Sequence, residues 1–128
     1  MIAGIGHDLI EIERIGKMVG GSSGHRFVER LLTPEERELA SARAARLAEF
    51  IAGRFAAKEA VVKALGCGIG AEVGFRDIAI IPDERGKPTC VLSSSSRDKL
   101  GLPDGYRIHV TITHGIATAS AFAVLEFE

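Results

Sequence analysis

The chain has 128 residues, 46% of them apolar and 26% charged, with a formal net charge of −1. That length fits one hydrophobic core and leaves little room for a second domain, and the balanced charge offers no global field for nucleic acid or an anionic membrane. Aromatic residues amount to 5% with no tryptophan, which disfavours base-stacking platforms. Met1 to Gly6 reads as a short strand ending at His7-Asp8. From Leu9 the period changes, and Ile12, Ile15, Met18 and Val19 recur at helical spacing. Gly20 to Gly24 stops that helix, and Arg26 to Leu32 reads as a helical turn. Thr33-Pro34-Glu35-Glu36 is a strong helix start: Thr33 caps, Pro34 suits the first turn, and Glu36 completes a capping box. This helix is expected to run into the mid-forties. The next is predicted over Leu47 to Leu65, stopped by Gly66.

The second half is strand-rich. Phe75 to Ile81 and Thr89 to Leu92 flank a hairpin connection at Pro82 to Pro88. Ser93 to Leu100 is expected to form a short helix. Arg107 to Thr113 and Thr118 to Phe127 alternate, linked by a turn at His114 to Ala117. The predicted class is α+β, a single domain over residues 1–128: an N-terminal strand, three helices, then a mainly antiparallel sheet. Cys67 and Cys90 lie in no metal or redox spacing and are expected to be reduced thiols. His7, Asp8, Glu11 and Glu13 interrupt the apolar start, so no signal-peptide core is expected, and no stretch suits a membrane span. The expectation is a soluble, cytoplasmic protein.

The helix around Gly53 to Gly66 is the most informative segment. At about 100° per residue, Ile51, Phe55, Val62 and Leu65 share one side, with Arg54 and Lys58 near it. Gly53, Ala57, Ala60 and Ala64 form a smooth stripe that lets another backbone approach closely. Ala52, Ala56, Glu59 and Lys63 form a third stripe. No ordinary solvated face is left, yet Arg54, Lys58, Glu59 and Lys63 are charged. Buried charges are paired, metal-bound or aimed at a site, because leaving one alone costs several kcal/mol. Glu59 and Lys63 have the spacing of a surface ion pair or of site residues.

Asp8 has two readings, an N-cap for the following helix or a hard oxygen ligand. With Glu59 it would suit magnesium, which typically takes one or two protein carboxylates. His114 in its turn is either exposed filler or a phosphate contact. His7 is expected to play a structural role beside Asp8. Gly86-Lys87-Pro88 reads first as a hairpin turn, whose N–H groups and lysine are also able to meet an anion. Arg14, Lys17, Arg26 and Arg30, with Met18 and Phe27 among them, read as solvated surface or as a docking patch for an acidic helical partner.

Three segments, GIGHDLIEIERI, GRFAAKEAVVKALG and ITHGIATASAFAVLE, together resemble the holo-acyl-carrier-protein synthases, the small phosphopantetheinyl transferases. The resemblance covers nearly the whole chain in the family's order. It implies transfer of the phosphopantetheine arm of coenzyme A to a serine of acyl carrier protein, in support of fatty acid biosynthesis. It implies Asp8 and Glu59 as Mg2+ ligands, with Glu59, Lys63 and Asp8 carrying the catalysis. Lys63 contacts coenzyme phosphates, and Arg54, Gly86, Lys87, Pro88 and His114 line the coenzyme site. It implies that Arg14 and Met18 touch the carrier protein, and Arg26 of the basic patch is expected to join them in docking. The mechanism it implies leaves two acceptors for the serine proton, Glu59 or a water held by the metal. Homotrimers with active sites between subunits are implied as well. Gly115 departs from the family, which usually has serine or threonine after the histidine, so one hydroxyl contact is lost. Two rival readings keep the same residues: the same transfer onto a polyketide or peptide-synthase carrier domain, and a non-catalytic trimeric module binding nucleotides or acidic proteins.

Overall fold

Strand β1 runs farther than its sequence predicts. In the computed structural model, which describes residues 1–128, it spans Ile2–Glu11 and passes straight through His7 and Asp8. Leu9 and Ile10 continue the two-residue alternation instead of starting a helix: Ile10 is buried and Leu9 is 61% exposed. Asp8 is therefore a strand residue and does not cap the next helix. That helix, α1 (Ile12–Gly20), starts after Glu11 without any side-chain cap.

Five α-helices form, against the three main ones predicted. The turn at Arg26 to Leu32 grows into α2 (Gly24–Leu31), and the short helix near Ser93 becomes α5 (Ser94–Leu100), capped by the Ser93 hydroxyl. Helix α3 (Pro34–Ser41) has the predicted capping box, with Thr33 and Glu36 bonding each other's backbone N–H groups. It stops short of the mid-forties because the chain tightens into three-residue bonds, Arg43 N–H to Ala40 and Arg46 N–H to Arg43, both 2.9 Å. Helix α4 (Leu47–Leu65) has the predicted bounds and ends at Gly66, whose φ of +78° suits glycine.

The strands β2 (Ile78–Pro82), β3 (Pro88–Leu92), β4 (Arg107–His114) and β5 (Thr118–Glu126) join β1 in one antiparallel sheet ordered β1-β5-β4-β3-β2. Phe75–Asp77 forms a 3₁₀ turn before β2, closed by the Gly74 N–H donating to the Asp77 carboxylate at 2.8 Å. His114 is the last residue of β4, paired with Ala119, and not part of the turn. Between β3 and β4 only Thr89 and His109 pair.

Helix α4 packs on the inner face of β1, β5 and β4, and α1 and α3 also pack against it, which explains its burial nearly all round. The inner faces of β1 and β5 are small: Gly4, Gly6, Ala119, Ala121 and Ala123. They meet the smooth stripe of α4, so helix and sheet come unusually close. A Cβ at Gly6 would lie 1.8 Å from the Ala60 carbonyl oxygen, and one at Gly4 1.9 Å from that of Ala64. Gly6→Ala must push backbone from backbone, so it should cost about 3 kcal/mol, the upper range of core overpacking. Urea titration measures it; a loss below ~1 kcal/mol would mean the helix yields freely.

Candidate active site

Because β1 and α4 are so close, Asp8 on the inner face of β1 comes within reach of Lys63. The Lys63 ammonium donates to the His7 carbonyl at 2.9 Å and to Asp8 Oδ1 at 3.3 Å. Lys63 thus pairs with the strand and not with Glu59 one turn away. Glu59, half-buried on the same helix, senses both: burial and the Asp8 charge hold its carboxyl above the usual carboxylate range, and Lys63 pulls it back. Asp8, Glu59 and Lys63, far apart in sequence, therefore meet where β1 crosses α4.

His7 is not part of this group. Its side chain lies on the outer face of the sheet, stacked on Phe122 at 4.1 Å and bonded to the Ser120 hydroxyl at 2.9 Å. Only its carbonyl faces the site.

Two carboxylates near a single ammonium leave a locally negative group of residues able to hold a cation. Asp8 and Glu59 are hard oxygen donors, and no cluster of three or more His, Cys, Asp or Glu side chains accompanies them. That donor set suits Mg2+, which completes its shell with water and phosphate oxygens, better than metals held by full protein cages.

A carboxyl held high in the native state binds its proton more tightly than in the unfolded chain. Glu59 therefore favours the fold below the ordinary carboxylate range, and that contribution is lost as pH rises through its raised value. A cation must displace that proton. Mg2+ affinity of the free protein, measured by titration calorimetry, should tighten from pH 5 to pH 7.5, and Glu59→Gln should flatten the trend. Equal affinity across that range in the parent protein would count against the carboxylate pair as the site.

A second feature lies toward the start of α4. A cavity of about 350 Å³ is lined by Arg43, Arg46 and Arg54, with His114, Gly86 and Pro88. Its volume falls in the range of small-molecule sites. Arg54 is held on two sides: its Nε donates to the Ile80 carbonyl at 3.2 Å and its guanidinium lies 4.4 Å from the Phe50 ring centre. His114 Nε2 lies 3.3 Å from Glu49 Oε1. Arg43, Arg46 and Glu49 line the cavity without being singled out by the sequence, where the stretch before Leu47 reads as the continuation of the preceding helix. The excess of arginines before the α4 start was the available signal.

The turn before β3 presents its surface and not its N–H groups. Gly86 holds φ at +83°, which a side chain would strain. The Arg85 and Lys87 N–H groups donate to Asp83 Oδ1 at 2.8 and 2.9 Å, and the Gly86 N–H donates to the Asp83 carbonyl at 3.0 Å. The Gly86 and Lys87 N–H groups, expected to be able to meet an anion, are thus both occupied. Lys87 lines a neighbouring groove at the β3–β4 gap and not this cavity.

Arg14 and Met18 share an open groove on α1 with Lys17, and Met18 is 40% exposed. Arg26 is exposed on the adjacent α2. Both cysteines are free thiols; burial raises Cys67 and pushes Cys90 up to about 12, which leaves it unreactive.

Fold and site together define an α+β protein with two separate polar features, an arginine-lined cavity and the Asp8–Glu59–Lys63 cluster. The sequence profile of the 4′-phosphopantetheinyl transferase superfamily matches residues 4–113, and the chain belongs to that superfamily. It is 48% identical over 127 residues to the holo-[acyl-carrier-protein] synthase of Bacillus cereus strain G9842, covering 98% of this chain and 97% of that one. A crystal structure of the Bacillus anthracis holo-(acyl-carrier-protein) synthase in complex with CoA (3′,5′-ADP) superimposes with a TM-score of 0.83 at 45% identity, covering 100% of this chain and 99% of that one. The Neisseria meningitidis synthase gives 0.85 at 36% identity, covering 98% and 99%. The Helicobacter pylori synthase, in complex with coenzyme A, gives 0.83 at 35% identity, covering 95% and 99%.

Proposed function

We propose that this chain is a holo-acyl-carrier-protein synthase, moving the 4′-phosphopantetheine arm of coenzyme A onto a serine of apo-acyl carrier protein. The observation that carries this reading is the convergence of Asp8, Glu59 and Lys63 where β1 crosses α4. The likeness to synthases solved with coenzyme A supports it. The serine hydroxyl gives its proton to Glu59 or to a water, its oxygen bonds to the β-phosphorus, the bond from that phosphorus to the bridging oxygen breaks, and adenosine 3′,5′-bisphosphate leaves.

Such a transfer needs alignment and charge neutralisation above all. Asp8 and Glu59 would hold Mg2+, which when bound neutralises diphosphate charge and so favours displacement at phosphorus. Lys63, exposed on its outer side, offers an N–H donor to the phosphoryl oxygens. Arg54, His114, Arg43 and Arg46 bind the anionic adenosine end, with Gly86 and Pro88 forming a wall. Lys87 meets that end from the rim. Arg14 and Arg26 steer an acidic carrier protein, and Met18 supplies an apolar anchor. The protein acts in the cytoplasm, in fatty acid synthesis, as a single domain over residues 1–128; no helix is long and apolar enough to cross a membrane.

The cavity lining contains none of Asp8, Glu59 or Lys63. A homotrimer would supply what one chain separates, by setting one copy's cavity against another's carboxylates. The outer sheet face supports this: Ile5 is 62% and Phe122 47% exposed, beside Leu9. Sedimentation should give three times 13.6 kDa; a monomer at assay concentration would sink the assembly. The activity itself is tested by intact mass of apo-acyl carrier protein incubated with coenzyme A. A gain of the phosphopantetheine arm that EDTA abolishes is expected, and no gain with Mg2+ present would refute the assignment.

A further inference from the structure

We propose that Glu36 is a positioning residue for Arg54, acting through Ile80: one buried carboxylate holds both the strand to which the arginine is bonded and the helix from which it projects. This rests on reading the arginine-lined cavity as the coenzyme site. Glu36 is fully buried at the start of α3, 18 positions before Arg54 in the chain. Its Oε2 accepts the Ile80 N–H at 2.9 Å, and the Ile80 carbonyl accepts Arg54 Nε at 3.2 Å. Its Oε1 accepts Lys58 Nζ at 2.6 Å and the Thr33 N–H at 2.8 Å. Lys58, equally buried, also donates to the carbonyls of Leu31 at 2.6 Å and Phe75 at 3.0 Å.

Lys58 and Arg54 stand one turn apart on α4. The Glu36–Lys58 pair therefore pins that turn of the helix, and the Glu36–Ile80 bond pins β2 against it. Arg54 spans the gap between the two. With Nε engaged and its plane against Phe50, its two Nη groups have no protein partner and line the cavity. A capping box alone needs no such reach: Thr33 and the Glu36 backbone satisfy each other within α3. The remaining lone pairs of Glu36 serve residues 22 and 44 positions away.

The test uses the full-length enzyme, coenzyme A and apo-acyl carrier protein. Glu36→Leu/Lys58→Met removes both charges at once, so neither is left alone in the core and the fold survives. Ile80 then loses its anchor. The KM for coenzyme A is expected to rise roughly tenfold, with kcat and the carrier-protein KM within about twofold, because Arg54 is misplaced and the reacting centre is not. Arg54→Ala should raise the same KM at least as much, and adding it to the double variant should give no further rise.

A coenzyme KM unchanged by Arg54→Ala would overturn the reading of the cavity itself. An Arg54 effect with a parental coenzyme KM in the folded double variant would overturn the positioning role. So would multiplication of the two effects in the triple variant, because Glu36 would then act independently of Arg54. If that double variant does not fold, Glu36→Met/Lys58→Leu, which likewise leaves the Ile80 N–H without its acceptor, carries the same expectation: a selective rise in coenzyme KM supports the role, and an unchanged value rejects it.

Discussion

Glu59→Gln should reduce turnover at least ~100-fold, the scale of one lost electrostatic contact in a transition state, while the chain stays folded. The substitution keeps shape and removes charge. Glu59 bears that charge against the local trend, since burial and Asp8 both favour its neutral form. Neutralising it relieves a native-state cost, so thermal stability without metal should hold or rise. That combination separates a site residue from a structural one: a structural acid, once neutralised, loses stability and activity together. Intact-mass kinetics and a thermal melt on the same preparation measure the two. Turnover within threefold of the parent would remove Glu59 from the reaction.

The buried pair one residue away should behave in the opposite way. Lys58→Met alone is expected to lower stability by about 3–5 kcal/mol, the cost of leaving one partner of a buried ion pair uncompensated. Glu36 would be left without its cationic partner and away from solvent, and the Leu31 and Phe75 carbonyls would lose their donor. Against a total stability of roughly 5–15 kcal/mol for a domain, that is a large fraction. Urea denaturation should show the midpoint falling with an unchanged slope. A change below ~1 kcal/mol would mean that water or a side-chain shift compensates the carboxylate. Removing both charges restores most of the loss, which is why the double variant serves for kinetics.

These two neighbours on one helix show what sequence carries and what it does not. Burial of α4 nearly all round was readable, because its small, apolar and charged stripes left no solvated face. The smooth stripe announced a close backbone neighbour, but nothing local said that the neighbour was the Gly4-Gly6 strand. The charges on α4 were ambiguous for a physical reason. Glu59 and Lys63 have the spacing of a helical ion pair, and only the strand crossing diverts Lys63 to Asp8. Lys58 was visible near the apolar side, but its partner Glu36 was already explained by the capping box. A local hydrogen bond hid a long-range one. Asp8 reads as a candidate helix cap because Leu9-Ile10 fits both a two-residue and a helical period, and the pairing of Leu9 with Ser120 and Ile10 with Ala119 decides for the strand. The coenzyme-site residues of the resemblance come together in part: Arg54, His114, Gly86 and Pro88 share the cavity, while Lys87 and Lys63 stand outside it.

Thr89 with His109 is the one pairing across the sheet between the β2–β3 leaf and the larger leaf, which otherwise meet through α4 and the Arg54 bond to Ile80. Gly86 and Pro88 belong to the β2–β3 leaf, and His114 to the larger one. A ligand seated among them staples the leaves together. Part of its binding energy goes into restraining that joint, so ligand shape and hairpin stiffness set affinity jointly. Stiffening the hairpin would tighten binding without adding one new contact.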